Sequence, residues 1–146
     1  MTTKAKKIIV DVCMLTFIIL SFIRWDGSPA FHIVVGTICT LFFILHIFLH
    51  RKWLAAQTKK FVAGKISAKV LRLYIVDVLL LVIWTISIVT GVLATAPYVI
   101  EVEGLAWMGR VHGITARLAL VLVVVHLLQH IKQVRSYFGW PRKNKG

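Results

Sequence analysis

Two stretches of the chain decide the fold: FHIVVGTICTLFFILHIFLH at 31–50 and VHGITARLALVLVVVHLLQH at 111–130. Each is almost wholly apolar and long enough for a helix that crosses a bilayer, which takes about 20 residues. Each carries three histidines at one spacing, which is His, 13 residues, His, 3 residues, His. In a helix, two residues 14 positions apart point within about 40° of the same direction, and two residues 18 positions apart point in almost the same direction. The three histidines of each stretch therefore form one stripe.

Composition points to a membrane protein. Of the 146 residues, 59% are hydrophobic and the mean hydropathy is +0.85, above the roughly 45–50% apolar content of soluble domains. The net charge is +13, but the basic residues lie in polar segments between apolar runs, so anionic lipid explains them and we expect no nucleic-acid partner. Cys13 and Cys39 lie inside apolar runs without a CxxC or CxxCH motif, which disfavours covalent haem attachment.

Four apolar runs predict an all-α membrane protein, a bundle of four transmembrane helices at about 8–23, 31–49, 70–96 and 105–131. We treat the chain as a single membrane domain. The basic connection 51–69 interleaves charged and apolar residues, which suits either a segment on the membrane surface or a plain solvated loop. A basic tail follows at 132–146.

The distribution of positive charge predicts the orientation. Of the 18 Lys and Arg residues, 15 fall in the N-terminus, the connection 51–69 with the residues just after it, and the tail. Because positively charged segments stay on the cytoplasmic side, we expect both termini to be cytoplasmic.

The chain also contains an internal repeat. Asp11 opens the first helix and Asp77 opens the third, each inside an Ile-Val-Asp-Val sequence, and the histidine pattern then follows. The offset from Asp to the first His is 21 residues in one half and 35 in the other. Two repeated helix pairs therefore form the bundle, with about 14 extra residues expected in the outer loop around 97–104.

The histidine stripes suit haem. A six-coordinate b haem needs one imidazole on each face of its iron, and helices two and four run in the same direction in the predicted topology. We therefore expect His32 to pair with His112 and His46 to pair with His126 as iron ligands. The two irons would lie about 21 Å apart along the helix axis.

Small and basic residues near the outer ligands are candidates for haem contacts. Gly36 and Ala116 lie one turn past His32 and His112, and each either leaves room for the macrocycle or allows ordinary helix packing. Arg110 and Arg117, with Arg24, are candidate partners of the haem propionates. Arg117 lies about 140° around the helix from His112, so its side chain either reaches a propionate or extends to the interface.

The inner ends of the helices hold further polar residues. His50 and His130 lie one turn beyond the inner ligands and could contact propionates, line a quinone pocket, replace His46 and His126 as ligands, or bind interfacial water. We interpret them as non-ligands. Asp11 and Asp77 could orient a histidine or relay protons. Alternatively, they could be anions that are stabilised near a helix N-terminus and paired with lysines. Here we favour the second interpretation.

With these motifs in view, nearly the whole chain resembles small bacterial membrane di-haem cytochromes b of the cytochrome b561-like four-helix family. The resemblance implies two non-covalent b haems, a place in the bacterial inner membrane, and electron transfer between a quinone pool and an extracytoplasmic redox partner. A four-helix relative oxidises superoxide and reduces quinone, so a self-contained superoxide:quinone oxidoreductase is the alternative. A third hypothesis is a haem-free transporter or metal-binding protein, which leaves the repeated spacing unexplained.

Overall fold

The computed structural model describes residues 2–23, 29–99 and 104–137, and all regular structure in these ranges is helical. The helices are α1 (Thr3–Ser21), α2 (Pro29–Val62), α3 (Ala68–Val99), α4 (Ala106–Gln129) and α5 (Ile131–Tyr137). The prediction of an all-α fold is thus confirmed for the described residues. Residues 24–28 and 100–103, which include Arg24 and which we expected in outer loops, lie outside those ranges, as do residues 138–146.

Three of the helices are long and apolar enough to cross a membrane, over Pro29–Val62, Ala68–Ala96 and Trp107–Gln129. The apolar side chains of α2 and α4 are widely exposed, for example Val34 at 58% and Val121 at 60%. Such exposure would be costly in water and suits contact with lipid. The chain is therefore a membrane protein by the length and composition of its helices. Helix α1 is shorter and carries Lys4, Lys6, Lys7 and Asp11 within its 19 residues.

Helix ends follow local chemistry. The Thr2 side chain caps α1 by accepting a hydrogen bond from the Ala5 amide at 3.3 Å. Helix α2 begins at Pro29, whose fixed φ suits a first helical position. It ends at Val62 rather than near residue 49, and Gly64 follows with a φ of 65°, the left-handed conformation that commonly closes a helix. Much of the segment 51–69, predicted as a surface segment or loop, is therefore a direct continuation of α2.

The chain divides into two compact units, Met1–Val62 and Ala63–Gly146. In the first unit α1 packs against α2, and in the second α3 packs against α4. Each pair is an antiparallel hairpin, and we call them the first and second hairpin. Equivalent positions 80 residues apart, Cys39 and Ala119, are buried in both. Small side chains at this position let the two helices of each hairpin approach closely.

The extra residues of the second half extend a helix. Helix α1 runs 10 residues past Asp11, whereas α3 runs 22 residues past Asp77. Most of the length that we expected in the outer loop around 97–104 is therefore helical in α3, and only residues 100–103 of that loop lie outside the described ranges.

Candidate haem-ligand sites

After the predicted topology, we call the end of each hairpin that carries its aspartate the inner end and the opposite end the outer end. At the inner end of the first hairpin, Asp11 of α1 contacts His46 of α2 and lies near His50. His46 Nδ1 lies 2.8 Å from Asp11 Oδ1, and His50 Nε2 lies 3.8 Å from the same oxygen. The two imidazoles stack with their centroids 4.5 Å apart. The Asp11 and His46 side chains are 24% and 18% exposed, so this contact is largely shielded within an apolar stretch.

The second hairpin repeats this arrangement almost without change. His126 Nδ1 lies 2.7 Å from Asp77 Oδ1, and His130 Nε2 lies 3.9 Å from it. The ring centroids of His126 and His130 are 4.6 Å apart. Of the two interpretations of the aspartates, the geometry therefore favours the orientation of a histidine over the pairing with lysines that we preferred.

The outer histidines are held by backbone oxygens instead. His32 Nδ1 lies 2.8 Å from the Ser21 carbonyl oxygen of α1, and His112 Nδ1 lies 2.8 Å from the Ser87 carbonyl oxygen of α3. The spacing from Asp to Ser is ten residues in both hairpins, Asp11 to Ser21 and Asp77 to Ser87. The repeat thus includes the acceptor of each outer histidine, although we predicted neither serine as a site residue.

These contacts fix which ring nitrogen carries the proton. A carbonyl oxygen and an ionised carboxylate can only accept a hydrogen bond, so Nδ1 must be the donor in all four histidines. A neutral imidazole that is protonated on Nδ1 has its lone pair on Nε2. Histidines that ligate metals nearly always donate their other ring N–H to a carboxylate or a carbonyl in this way. In their neutral form, the four histidines that we predicted as ligands therefore keep the Nε2 lone pair available for a metal.

His50 and His130 differ in this respect. The atom that each turns toward its aspartate is Nε2, at 3.8 and 3.9 Å, which is longer than a hydrogen bond. The aspartates are thus closer partners of His46 and His126, the positions that we expect to be ligands.

The outer site of the second hairpin includes a further residue that we did not predict. A Cβ added to Gly91 would lie 2.9 Å from His112 Nδ1 and 3.0 Å from its Cε1. Thr90, one residue earlier, donates to the Ser87 carbonyl at 3.2 Å. Gly91 therefore lets the His112 ring approach α3 this closely, and no pattern in the sequence marked it.

Gly36 has the opposite environment. A Cβ added there would meet nothing within 4 Å, so helix packing among the described residues does not require this glycine. Its repeat equivalent Ala116 is half-buried, and Arg110 and Arg117 are exposed on α4.

Each aspartate with its two histidines also forms a group that could hold a metal ion, with ligand atoms within 4.8 Å of one another. The tetrahedral zinc geometry tests this possibility, because ligand atoms at about 2.0–2.1 Å from the metal lie about 3.3 Å apart. The Asp–His separations of 2.8 and 2.7 Å are shorter than that and match a hydrogen bond. The geometry thus fits a carboxylate that accepts a hydrogen bond from a histidine ligand better than a carboxylate that binds the metal itself.

No protein family model, curated protein or solved structure matches this chain. The assignment of function below therefore rests on the geometry of these sites and on the sequence pattern.

Proposed function

We propose that this protein transfers electrons across a bacterial inner membrane through two b haems, each ligated by two histidines. The observation that carries the proposal is the repeated Nδ1 contact: His32, His46, His112 and His126 each donate to an acceptor on the preceding helix at 2.7–2.8 Å. An isolated histidine in a membrane helix needs only one polar partner. The same contact at four histidines, in two copies of one pattern, indicates a shared function.

The pairing of ligands rests on the sequence repeat. Each hairpin carries an outer and an inner histidine in the same order along its second helix, so one haem would take His32 with His112 and the other His46 with His126. A single hairpin offers one such histidine at each level, so two are needed for two axial ligands.

The topology of the proposal has α1 as a fourth transmembrane helix. The lysines near its start extend toward the headgroups, so the charged N-terminal turn need not enter the hydrocarbon. Both termini and the basic end of α2 then lie on the cytoplasmic side, where anionic lipid favours them.

In this proposal the haem and the chain make different contributions. A b haem supplies a one-electron carrier within the hydrocarbon region. The chain supplies two neutral imidazoles per iron, fixes the ring nitrogen that ligates, and excludes water with its apolar helices. The chain would exchange electrons with a quinone pool and an extracytoplasmic redox partner, as the cytochrome b561-like resemblance implies.

A second candidate function has its own observation, which is the Asp–His–His group in each hairpin. It would make the protein a binder of two metal ions without haem. This candidate leaves the Nδ1 contacts of His32 and His112 without a purpose, since neither histidine belongs to such a group.

The test is the visible spectrum of four purified single variants. His32→Ala and His112→Ala should each abolish one and the same b-type component, because both remove a ligand of the outer iron. His46→Ala and His126→Ala should abolish the other. Gln129→Leu is the matched control, since Leu49 stands at the equivalent position, and it should retain both components.

Two outcomes would count against the proposal. If His32→Ala and His126→Ala removed the same component, the ligand pairing would be wrong. If the wild-type protein bound divalent metal and showed no haem bands, the second candidate would replace the first.

A further inference from the structure

The two proposed haem levels differ in the charge of the groups that accept from their ligands. At the inner level the acceptors are the carboxylates of Asp11 and Asp77, and at the outer level they are the backbone carbonyls of Ser21 and Ser87. The four distances fall within 2.7–2.8 Å. Because these distances are matched, the acceptors of the two levels differ in charge rather than in hydrogen-bond length.

A carboxylate that accepts from Nδ1–H makes the imidazole a more basic ligand, since it draws the proton away from the ring. A more basic ligand with a negative charge behind it favours the oxidised, more positive iron. A neutral carbonyl has a weaker effect of the same kind. Hydrogen bonding to axial ligands and local charge are levers that set haem potentials.

Burial preserves the effect of the carboxylates. Asp11 and Asp77 are 24% and 16% exposed and lie in apolar helices, where charge is screened less than in water. Most cations near this end of the helices, such as Lys6, Arg51 and Lys132, are exposed, while Lys7, one turn before Asp11, is half-buried. The opposing influence of the exposed cations is reduced by solvent and salt.

Resting on the proposed function, we propose that Asp11 and Asp77 make the His46–His126 site the lower-potential site of the two. They are positioning residues that act through the histidines. If haem is bound at both levels, electron transfer from the His46 level to the His32 level would then be favoured. The two acceptor types would thus give the conduit a direction, from the cytoplasmic side outwards.

The experiment is a spectroelectrochemical titration of the purified full chain at one fixed pH. Asp11→Asn combined with Asp77→Asn keeps an oxygen acceptor and removes the charge. The lower-potential component should become easier to reduce, with at least a tenfold rise in its reduced-to-oxidised ratio at the original midpoint. For a one-electron couple this is about 59 mV. The higher-potential component should move much less.

Matched variants separate charge from structure. Asp11→Glu and Asp77→Glu retain a carboxylate and should keep the low midpoint, and Gln129→Leu should shift neither component. A second measurement needs no aspartate variant: His32→Ala should retain the component with the lower wild-type midpoint, and His46→Ala the one with the higher midpoint.

The outcomes are distinct for the two proposals. A protein without haem would overturn the proposed function. Two haems whose midpoints do not respond to loss of the carboxylates would overturn the inference alone. A His32→Ala variant that retains the higher-potential component would also overturn the inference alone. This second measurement decides the question even if the asparagine variants lose their haem.

Discussion

The first hairpin holds its outer histidine at the end of a helix, whereas the second holds it against the interior of one. Ser21 is the last residue of α1, and its carbonyl is among the terminal ones that lack an intrahelical partner. Helix α3 continues 12 residues past Ser87. Accordingly His32 is exposed, while His112 is half-buried beside Gly91. The contact from Nδ1 to a carbonyl repeats although its surroundings do not, which indicates that orientation of the ring is the property the two copies share.

The inner ends show no such divergence. The close Asp–His distances differ by 0.1 Å between the hairpins, at 2.8 and 2.7 Å, and the longer ones are 3.8 and 3.9 Å. Each hairpin therefore has an outer end whose packing varies and an inner end whose Asp–His distances are nearly constant, while the two inner histidine rings meet at 25° in the first hairpin and 41° in the second. Variants at the two ends can test this division.

The largest effect is expected at the outer end of the second hairpin, from Gly91→Ala. The added methyl group would lie too close to the His112 ring, so the ring or the helix must shift, and we expect the contact with the Ser87 carbonyl to weaken. Loss of an outer-sphere partner typically lowers metal affinity about 10–100-fold. We expect a comparable fall in haem affinity for the component that His112→Ala abolishes, measured by haem titration into the apoprotein.

Gly113→Ala is the control for this variant. It lies beside His112, has open space at its Cβ, and corresponds to Ile33 in the first hairpin. If Gly91→Ala and Gly113→Ala bound haem equally well, the role of Gly91 in seating the His112 ring would be refuted.

The smallest effect is expected at the inner end, from His50→Ala and His130→Ala. Each removes a ring whose Nε2 lies beyond hydrogen-bond distance of its aspartate, and the closer Asp–His contact stays intact. Both variants should keep two low-spin haems, with at most a shift in one midpoint, and the two should behave alike because the inner ends are alike. Electron paramagnetic resonance would check the spin state. A haem lost or turned high-spin in either variant would place the inner ligands one turn lower than we assign them.

The histidine stripe and the apolar runs could be predicted from sequence because both depend on the period of a single helix. The hydrogen-bond acceptor of each histidine Nδ1 could not be predicted, because it depends on how two helices align with each other. We favoured lysines as the partners of Asp11, and the structure places its carboxylate on His46. The ten-residue spacing from Asp to Ser in both halves was the available clue to this alignment.

The length of α2 was missed for a different reason. Its last part is polar and basic, which we interpreted as a surface segment or loop, yet residues such as Leu54, Ala55 and Gln57 favour helix. No glycine or proline interrupts α2 from Thr37 to Val62. Polarity marks where a helix leaves the hydrocarbon, whereas a breaker such as Gly64 marks where it ends.

The most direct test of the account is the number of haems per polypeptide in the purified protein, with extraction by acid–acetone. Two sites built from four oriented histidines predict two b haems per chain, both extractable because the chain has no CxxCH motif for covalent attachment. One haem per chain, or haem that stays with the protein after extraction, would contradict the central claim.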